Sequence, residues 1–423
     1  MNICSTSAAS GSRATATRAP ASPYSTRCRV TSRATGCRTT LRASSRRSST
    51  PGCPNALRCA SPTAARTGCP DESPIQVKKT VKRILVVKPS SLGDILHVFP
   101  ALELLHRNFP GAELDYLVHP AFAEILDYSP FPVSRRILFN RKRLGKLPTL
   151  IPEFLHLVRE IRRNRYDLVI DFQGLTRSAI FAAAAKGGPV IGFARPREPA
   201  ARLGYRRSFD VPAGHAVERN AALVNALTGG NAPVPMLVLP ENPANAAAFR
   251  RLAGAVPAEL VVLLPGSRWK TKKFPPALFA DVIRRVHAEK PECVFAVLGA
   301  SSDRKEQEMI RQEVGPGFPL LELAGRTSLG VMMEALRSAR LVLSNDSGPM
   351  HAAAALNKPV FGFFGPTDPA KTGPYGKIHR IYQRRPGCLN CLKRSCPKGE
   401  LSCHRLDTVQ IANDCIQILT TGD

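Results

Sequence analysis

The sequence predicts an α/β protein made of two doubly wound, parallel-sheet domains in series. Three observations carry that expectation. Short β-branched runs alternate with stretches of helical spacing, glycine-containing turns follow several of those runs, and a Pro- and Asn-rich break near residue 240 precedes a restart of the alternation. A chain of 423 residues is long enough for two cores of ordinary size.

Val81–Val87 opens the pattern as a buried parallel strand, Lys88-Pro-Ser-Ser-Leu-Gly-Asp94 supplies turn residues, and Ile95–Asn108 resumes at helical spacing. A strand over Glu113–Val118 leads into a helix over Ala121–Leu126. Another over Tyr166–Asp171 leads through Gln173-Gly-Leu into a helix over Thr176–Ala185. The polar stretch Asn231–Asn245 marks the domain boundary, giving domains of 77–240 and 241–423. Beyond it, strands are expected at Leu260–Leu264, Val294–Leu298, Leu341–Ser344 and Pro359–Phe364, and helices at Phe279–Lys290, Leu329–Ala339 and His351–Leu356. Two such domains place a ligand cleft between their carboxyl strand ends.

Composition separates the first 76 residues from the rest. They hold eleven Arg, no Lys, no Phe, six Cys and only Asp71 and Glu72 as acids, among Ser, Thr, Ala and Pro. Such a segment cannot bury enough apolar surface to offset its ordering entropy, so disorder is expected there. It lacks the apolar stretch of a signal peptide and resembles an organellar transit peptide only in being Arg-rich and acid-poor. The same composition arises when a GC-rich gene is translated in an unintended frame, and the working protein is expected to begin near Val77 or Val81. No window approaches 18 uninterrupted apolar residues, so no membrane span is expected. The formal charge of +28 points to anionic partners: nucleic acid, acidic lipid or a phosphorylated substrate.

Four places combine a strand end with reactive residues. In Ser90-Ser-Leu-Gly-Asp94, Asp94 is either a helix cap or a carboxylate facing the cleft, where it can accept a proton from a substrate hydroxyl. In Asn345-Asp-Ser-Gly-Pro-Met-His351, either Asp346 or Ser347 caps a helix around a core histidine, or the Ser347 and Gly348 amides and the helix dipole hold a diphosphate. The run Pro265-Gly-Ser-Arg-Trp-Lys-Thr-Lys-Lys-Phe-Pro275 is either a solvated cationic loop or the source of Lys272 as counter-charge for a departing diphosphate. Phe364-Gly-Pro-Thr-Asp-Pro369, with Gly373-Pro-Tyr-Gly376 after it, is a pair of turns able to hem in a nucleotide.

Together these four places resemble glycosyltransferase family 9, the ADP-heptose:lipopolysaccharide heptosyltransferases. Asp171-Phe-Gln-Gly-Leu-Thr-Arg-Ser178, Arg197-Glu-Pro199 and His215-Ala-Val-Glu-Arg219 are similar to segments of the heptosyltransferase I branch. The resemblance spans roughly residues 81 to 420, in order, and leaves the leader out. It implies a GT-B fold, with the acceptor on the first domain and ADP-heptose mainly on the second, and direct displacement with inversion at the anomeric carbon. On that resemblance Asp94 is the general base and Lys272 stabilises the leaving ADP. Ser267, Ser347, Gly348 and Thr367 are expected around phosphate, Asp346 on the heptose, and His351 in support. Gly93, Gln173 and Arg197 are expected on the acceptor side, with Arg141, Lys142 and Arg143 as further cations for an anionic acceptor.

The acceptor implied is Kdo-lipid A or inner-core lipopolysaccharide, and the implied location is the cytoplasmic face of the inner membrane, with peripheral contact. No cofactor is required for such chemistry when lysine and amides supply the counter-charge. Cys388, Cys391, Cys396 and Cys403 have a spacing that permits a structural zinc site, free thiols or local disulfides. Similar clusters occur in other family 9 branches, so a heptosyltransferase II- or III-like enzyme is the alternative within the family. Outside it stands a basic nucleic-acid-binding protein. That alternative lacks an aromatic stacking platform and a recognised reading motif, and no nucleic acid partner is expected.

Overall fold

The first sheet grows from Arg83–Val87 (β1), whose Ile84, Leu85, Val86 and Val87 are fully buried. Burial on both faces is what a parallel sheet covered by helices on both sides demands. The computed structural model describes residues 81–254, 257–388 and 390–421, and the leader expected over 1–76 lies outside them. After β1 come Leu92–Leu96 (α1), Phe99–Asn108 (α2), Glu113–Val118 (β2), a 3-10 stretch at Pro120–Tyr128, Val133–Leu138 (β3), Arg141–Leu144 (α3) and Leu147–Ile161 (α4). Arg165–Tyr166 (β4), Leu168–Asp171 (β5), Thr176–Ala183 (α5), Lys186–Gly187 (β6), Val190–Phe193 (β7), Arg207–Phe209 (β8) and Ala216–Thr228 (α6) complete this lobe.

The second lobe repeats the plan. It runs through Pro243–Ala253 (α7), Leu260–Leu264 (β9), Pro276–Glu289 (α8), Val294–Val297 (β10), Arg304–Val314 (α9), Leu320–Glu322 (β11) and Leu329–Arg337 (α10). Leu341–Asn345 (β12), Gly348–Ala355 (α11), Val360–Phe363 (β13), Pro369–Thr372 (α12), Arg380–Tyr382 (β14) and Thr408–Thr421 (α13) follow. The sheet orders are β3-β2-β1-β5-β7-β8 and β11-β10-β9-β12-β13-β14, with parallel pairing throughout; β4 and β6 form a separate short pair. In each sheet the order reverses beside its first strand, so β1/β5 and β9/β12 are the switch points where a doubly wound sheet opens a crevice. These two six-stranded parallel sheets are the two doubly wound domains that the sequence predicts.

Where expectation and structure differ, a local cause is visible. The single helix expected over Ile95–Asn108 divides at His97-Val98, because Pro100 has no N–H to donate and takes the second position of α2 instead. The strand expected over Tyr166–Asp171 breaks at Asp167, whose carboxylate accepts the Lys82 and Arg83 N–H groups at 2.9 and 3.0 Å. The helix expected at Ala121–Leu126 is 3-10.

A single apolar core joins the lobes, uniting Ile84, Leu96, Phe99 and Tyr116 with Val262, Met350, Ala353 and Phe364. Polar pins cross the same seam. Tyr128 OH donates to Gly330 O at 3.0 Å and accepts from Asn245 Nδ2 at 3.3 Å, while Ser328 Oγ donates to Glu124 Oε1 at 2.6 Å. Because Gly330 O is left without that donor, Tyr128→Phe is expected to cost about 1–3 kcal/mol of unfolding free energy in urea titration. No measurable loss contradicts the pin.

Candidate active site

In the first lobe the carboxyl edge of β1 continues directly into Lys88, and β5 ends beside it, with Val87 in register with Asp171. Lys88 is buried and donates its Nζ to Phe172 O at 2.9 Å. Asp94, in the first turn of α1, is held through one oxygen only: Oδ2 accepts Ser91 N at 2.9 Å and Ser91 Oγ at 2.8 Å. Oδ1 faces Lys88 Nζ at 3.9 Å, and 37% of the side chain remains open. Burial pushes the Asp94 pKa up, but Lys88, the two Ser91 bonds and Arg197 outweigh it and hold the carboxyl below the usual range. Lys88 in turn is lowered, by burial first and by Arg197 and Arg219, against the pull of Asp94 and Asp171.

Asp171 organises the opposite wall. Its Oδ1 accepts Gln173 N and Gly174 N at 2.8 and 3.3 Å, and its Oδ2 accepts Ser178 Oγ and Tyr205 OH at 2.8 and 2.9 Å. Burial still leaves its pKa raised despite those four donors. Gly174, at φ +66°, turns the loop so that its carbonyl accepts Glu198 N at 2.9 Å, and the Glu198 carboxylate accepts Thr176 N at 2.8 Å. These bonds set Gln173 and Arg197 side by side on a cavity of about 270 Å³ that also collects Lys88, Asp94, His97 and Arg219. Gln173 Oε1 is buried there without a hydrogen-bond partner. Cations surrounding a single carboxylate suit an anionic ligand bearing a hydroxyl.

In the second lobe three neighbouring strand ends converge. Asn345 Nδ2 donates to Pro265 O at 2.6 Å and Asn345 Oδ1 accepts Phe274 N at 3.4 Å, tying the β9 loop to β12. Ser267 Oγ donates to Asp346 O at 3.0 Å, and Thr367 Oγ1 donates to Asp346 Oδ2. Lys272 Nζ forms an ion pair with Asp346 Oδ2 at 2.6 Å and lies 4.8 Å from the Trp269 ring centroid. Ser347 Oγ is buried and unpartnered at the entrance to α11. Ser267, Lys272, Asp346, Ser347, Gly348 and Thr367 are thus gathered at one sheet edge.

The cysteine-rich stretch braces this edge. Thr271 Oγ1 donates to Lys393 O at 2.6 Å, His404 Nε2 bonds Thr271 O at 2.8 Å, and Leu392 N donates to Pro366 O at 3.0 Å. Cys388, Cys391, Cys396 and Cys403 are partly exposed free thiols. Backbone N–H groups of residues 398–401 around Cys396 lower its pKa, whereas burial and the other three thiols raise that of Cys403. Among the described residues no group of three or more His, Cys, Asp or Glu side chains is arranged to hold a metal ion.

The two edges meet where α1 touches α11. A Cβ on Gly93 would lie 2.3 Å from His351 Cδ2, which leaves no room for a side chain there, and one on Gly348 would lie 3.0 Å from Leu92 Cβ, a tight contact. His351 is therefore in the seam between the lobes: its Nδ1 lies 3.1 Å from His97 Nε2, and burial drops its pKa to about 4 although Asp346 and Asp94 pull it up. His215 packs edge-on to His97 and bonds Gly373 O at 3.0 Å through Nε2, and Asn220 Nδ2 donates to His97 O at 2.9 Å. Arg141 and Lys142 are exposed, and Arg143 is paired with Glu153 at 3.1 Å.

Several of these residues carry no role in the sequence reading. Lys88 stands among turn residues, and the signal that marks it is a cation at the first position after a parallel strand, six residues before an acid. His97 lies three residues past Asp94 on the same helical side. Its partner is 254 residues away, a distance no local pattern bridges.

The family model described as glycosyltransferase family 9 (heptosyltransferase) matches residues 154–402. The lipopolysaccharide heptosyltransferase 1 of Pseudomonas aeruginosa is 34% identical over 328 residues, covering 74% of this chain and 87% of that protein. The E. coli heptosyltransferase WaaC solved with ADP superposes with a TM-score of 0.64 at 28% identity, covering 79% of this chain and 99% of that one. With ADP-2-deoxy-2-fluoro heptose bound, WaaC gives a TM-score of 0.62 at 27% identity, covering 81% and 100%.

The histidine seam makes stability pH-dependent. His97 is lowered well below 6.5, by burial first and then by His351, His215 and Lys88, and His351 falls to about 4. Between about pH 6.5 and 4 the unfolded chain binds more protons at these rings than the native one, so stability falls as pH drops through that window. Urea midpoints measured across it should decline for the native protein and decline less steeply for His351→Gln. Parallel slopes contradict the assignment.

Proposed function

The chain belongs to glycosyltransferase family 9, and from that membership we propose that it transfers heptose from ADP-heptose to the Kdo residue of the lipopolysaccharide inner core. One observation carries the mechanism. A half-anchored, ionised carboxylate in a cationic cavity of one lobe stands across a tight helix contact from a Lys–Asp pair and an unpartnered serine hydroxyl on the other.

The acceptor hydroxyl oxygen attacks the anomeric carbon of heptose as the bond from that carbon to the β-phosphate oxygen breaks. The bonding pair leaves with ADP, configuration inverts, and the hydroxyl proton passes to Asp94 Oδ1. Ser91 keeps Oδ2 in place, so the carboxylate loses no orientation at the moment of transfer. Lys88, Arg197 and Arg219 hold the acceptor's anionic groups, and Gln173 Oε1 takes a hydroxyl donor. Lys272 leaves Asp346 for the diphosphate, whose new charge it offsets together with the Ser347 hydroxyl and the Gly348 amide. Asp346, kept in position by Thr367, accepts from a heptose hydroxyl. Ser267 lies close enough to the same loop to contact phosphate.

Among the described residues no helix is long and apolar enough to cross a membrane. With a lipid-anchored acceptor, contact with the cytoplasmic face of the inner membrane is peripheral.

Incubation with ADP-heptose and Kdo-lipid A should add the mass of one heptose to the acceptor. Asp94→Asn is expected to lower kcat about 10²- to 10⁴-fold with donor affinity kept within about threefold. Lys272→Ala should cost about 10²- to 10³-fold. Unchanged turnover in Asp94→Asn removes that carboxylate from the base role.

A further inference from the structure

Helix α4 is apolar on more than the side it buries. Leu157 and Ile161 enter the cluster formed with Leu85, Val87 and Leu117. The adjoining face is open: Leu147 and Ile151 are 87% and 67% exposed, and Phe154 and Leu155 are exposed beside them. Leu147, Ile151 and Leu155 recur at four-residue spacing, so they form one continuous stripe rather than scattered apolar residues.

The same hairpin is strongly cationic. Residues 141–163 contain seven Lys or Arg and two Glu. Both acids are already engaged, Glu153 with Arg143 at 3.1 Å and Glu160 with Arg135 and Arg163 at 3.7 and 3.0 Å. Arg141, Lys142 and Lys146 are exposed at the start of the stripe. Arg141 and Lys142 also follow the carboxyl end of β3, which runs parallel to β2 and β1, so they lie at the sheet edge from which the Asp94 loop emerges. Arg141 and Lys142 act electrostatically on His119 at the end of β2, and His119 N donates to Pro89 O at 3.0 Å, in the loop that carries Asp94.

Resting on the reading of a lipid-anchored acceptor, we infer that α3 and α4 form a membrane-docking element. The exposed stripe of α4 enters the acyl boundary of an anionic bilayer while Arg141, Lys142 and Lys146 meet its headgroups, presenting the acceptor to the cavity from the membrane plane. Charge selects this occupant over a second copy of the chain, because isologous packing would set seven cations against seven.

The test measures co-sedimentation of the full chain with acceptor-free vesicles, either phosphatidylethanolamine–phosphatidylglycerol or phosphatidylcholine alone. The protein should bind the anionic vesicles and not the zwitterionic ones. The double variant Leu147→Ser with Ile151→Ser should bind at least about tenfold more weakly. On a deacylated, water-soluble acceptor the same variant should keep wild-type turnover, which also shows that it folds. Equal vesicle binding by both proteins overturns the element, as does wild-type binding to neither vesicle. A dimer in sedimentation equilibrium that the double variant abolishes also overturns it, assigning the stripe to a second copy. Vesicle binding that depends on the stripe, without heptose transfer to any acceptor, keeps the docking element and removes the acceptor reading.

Discussion

The site depends on how closely two short helix beginnings approach each other. Gly93 and Gly348 carry no side chain where α1 and α11 meet, so His351 and Leu92 pack directly against backbone. That contact brings Asp94 and the Asp346 loop from opposite sheets to within electrostatic reach of one imidazole. It sits on a core that runs unbroken from one lobe to the other, and the Tyr128 and Glu124 pins reinforce it farther along the seam. The two lobes bring different charges to this seam: the first a carboxylate among cations, the second a lysine balanced by an aspartate.

That division of charge follows from the cost of burial. Lys88 and Asp171 are both largely withdrawn from water, and each is sustained by fixed dipoles or opposite charge rather than by solvent. Asp94 differs in keeping one oxygen free. In the second lobe Lys272 and Asp346 neutralise each other, and the proposed mechanism has the diphosphate compete for that lysine. Gln173 Oε1 and Ser347 Oγ are two of the eleven buried side-chain atoms without a partner among the described residues, and these two lie at the facing sheet edges, one in each lobe.

Much of this was legible in the sequence. The β-branched runs at Arg83–Val87, Leu260–Leu264 and Leu341–Asn345 became central strands, because continuous apolar runs bounded by turn residues have few other ways to be buried. The strand-end positions of Asp94, Ser267 and Asp346 followed from the same alternation. Short peripheral strands such as Val190–Phe193 and Arg207–Phe209 escaped notice because they draw their stability from neighbours rather than from length. His351 illustrates the deeper limit. Its motif suggests support for the donor site, and its ring also reaches His97 across the seam, a partner that no local pattern discloses. The spacing of the cysteine stretch permits zinc, free thiols or local disulfides, and what spacing does not disclose is that Leu392, Lys393 and His404 brace the Lys272 and Gly365 loops.

The most direct test of the account is a crystal structure of the protein with a non-transferable ADP-heptose analogue and a deacylated Kdo-bearing acceptor. Asp94 Oδ1 is expected within hydrogen-bond distance of the acceptor hydroxyl aimed at the anomeric carbon, and Lys272 Nζ moved from Asp346 onto the diphosphate. A diphosphate bound away from Lys272 and Ser347, or an acceptor hydroxyl presented to some other base, would contradict it.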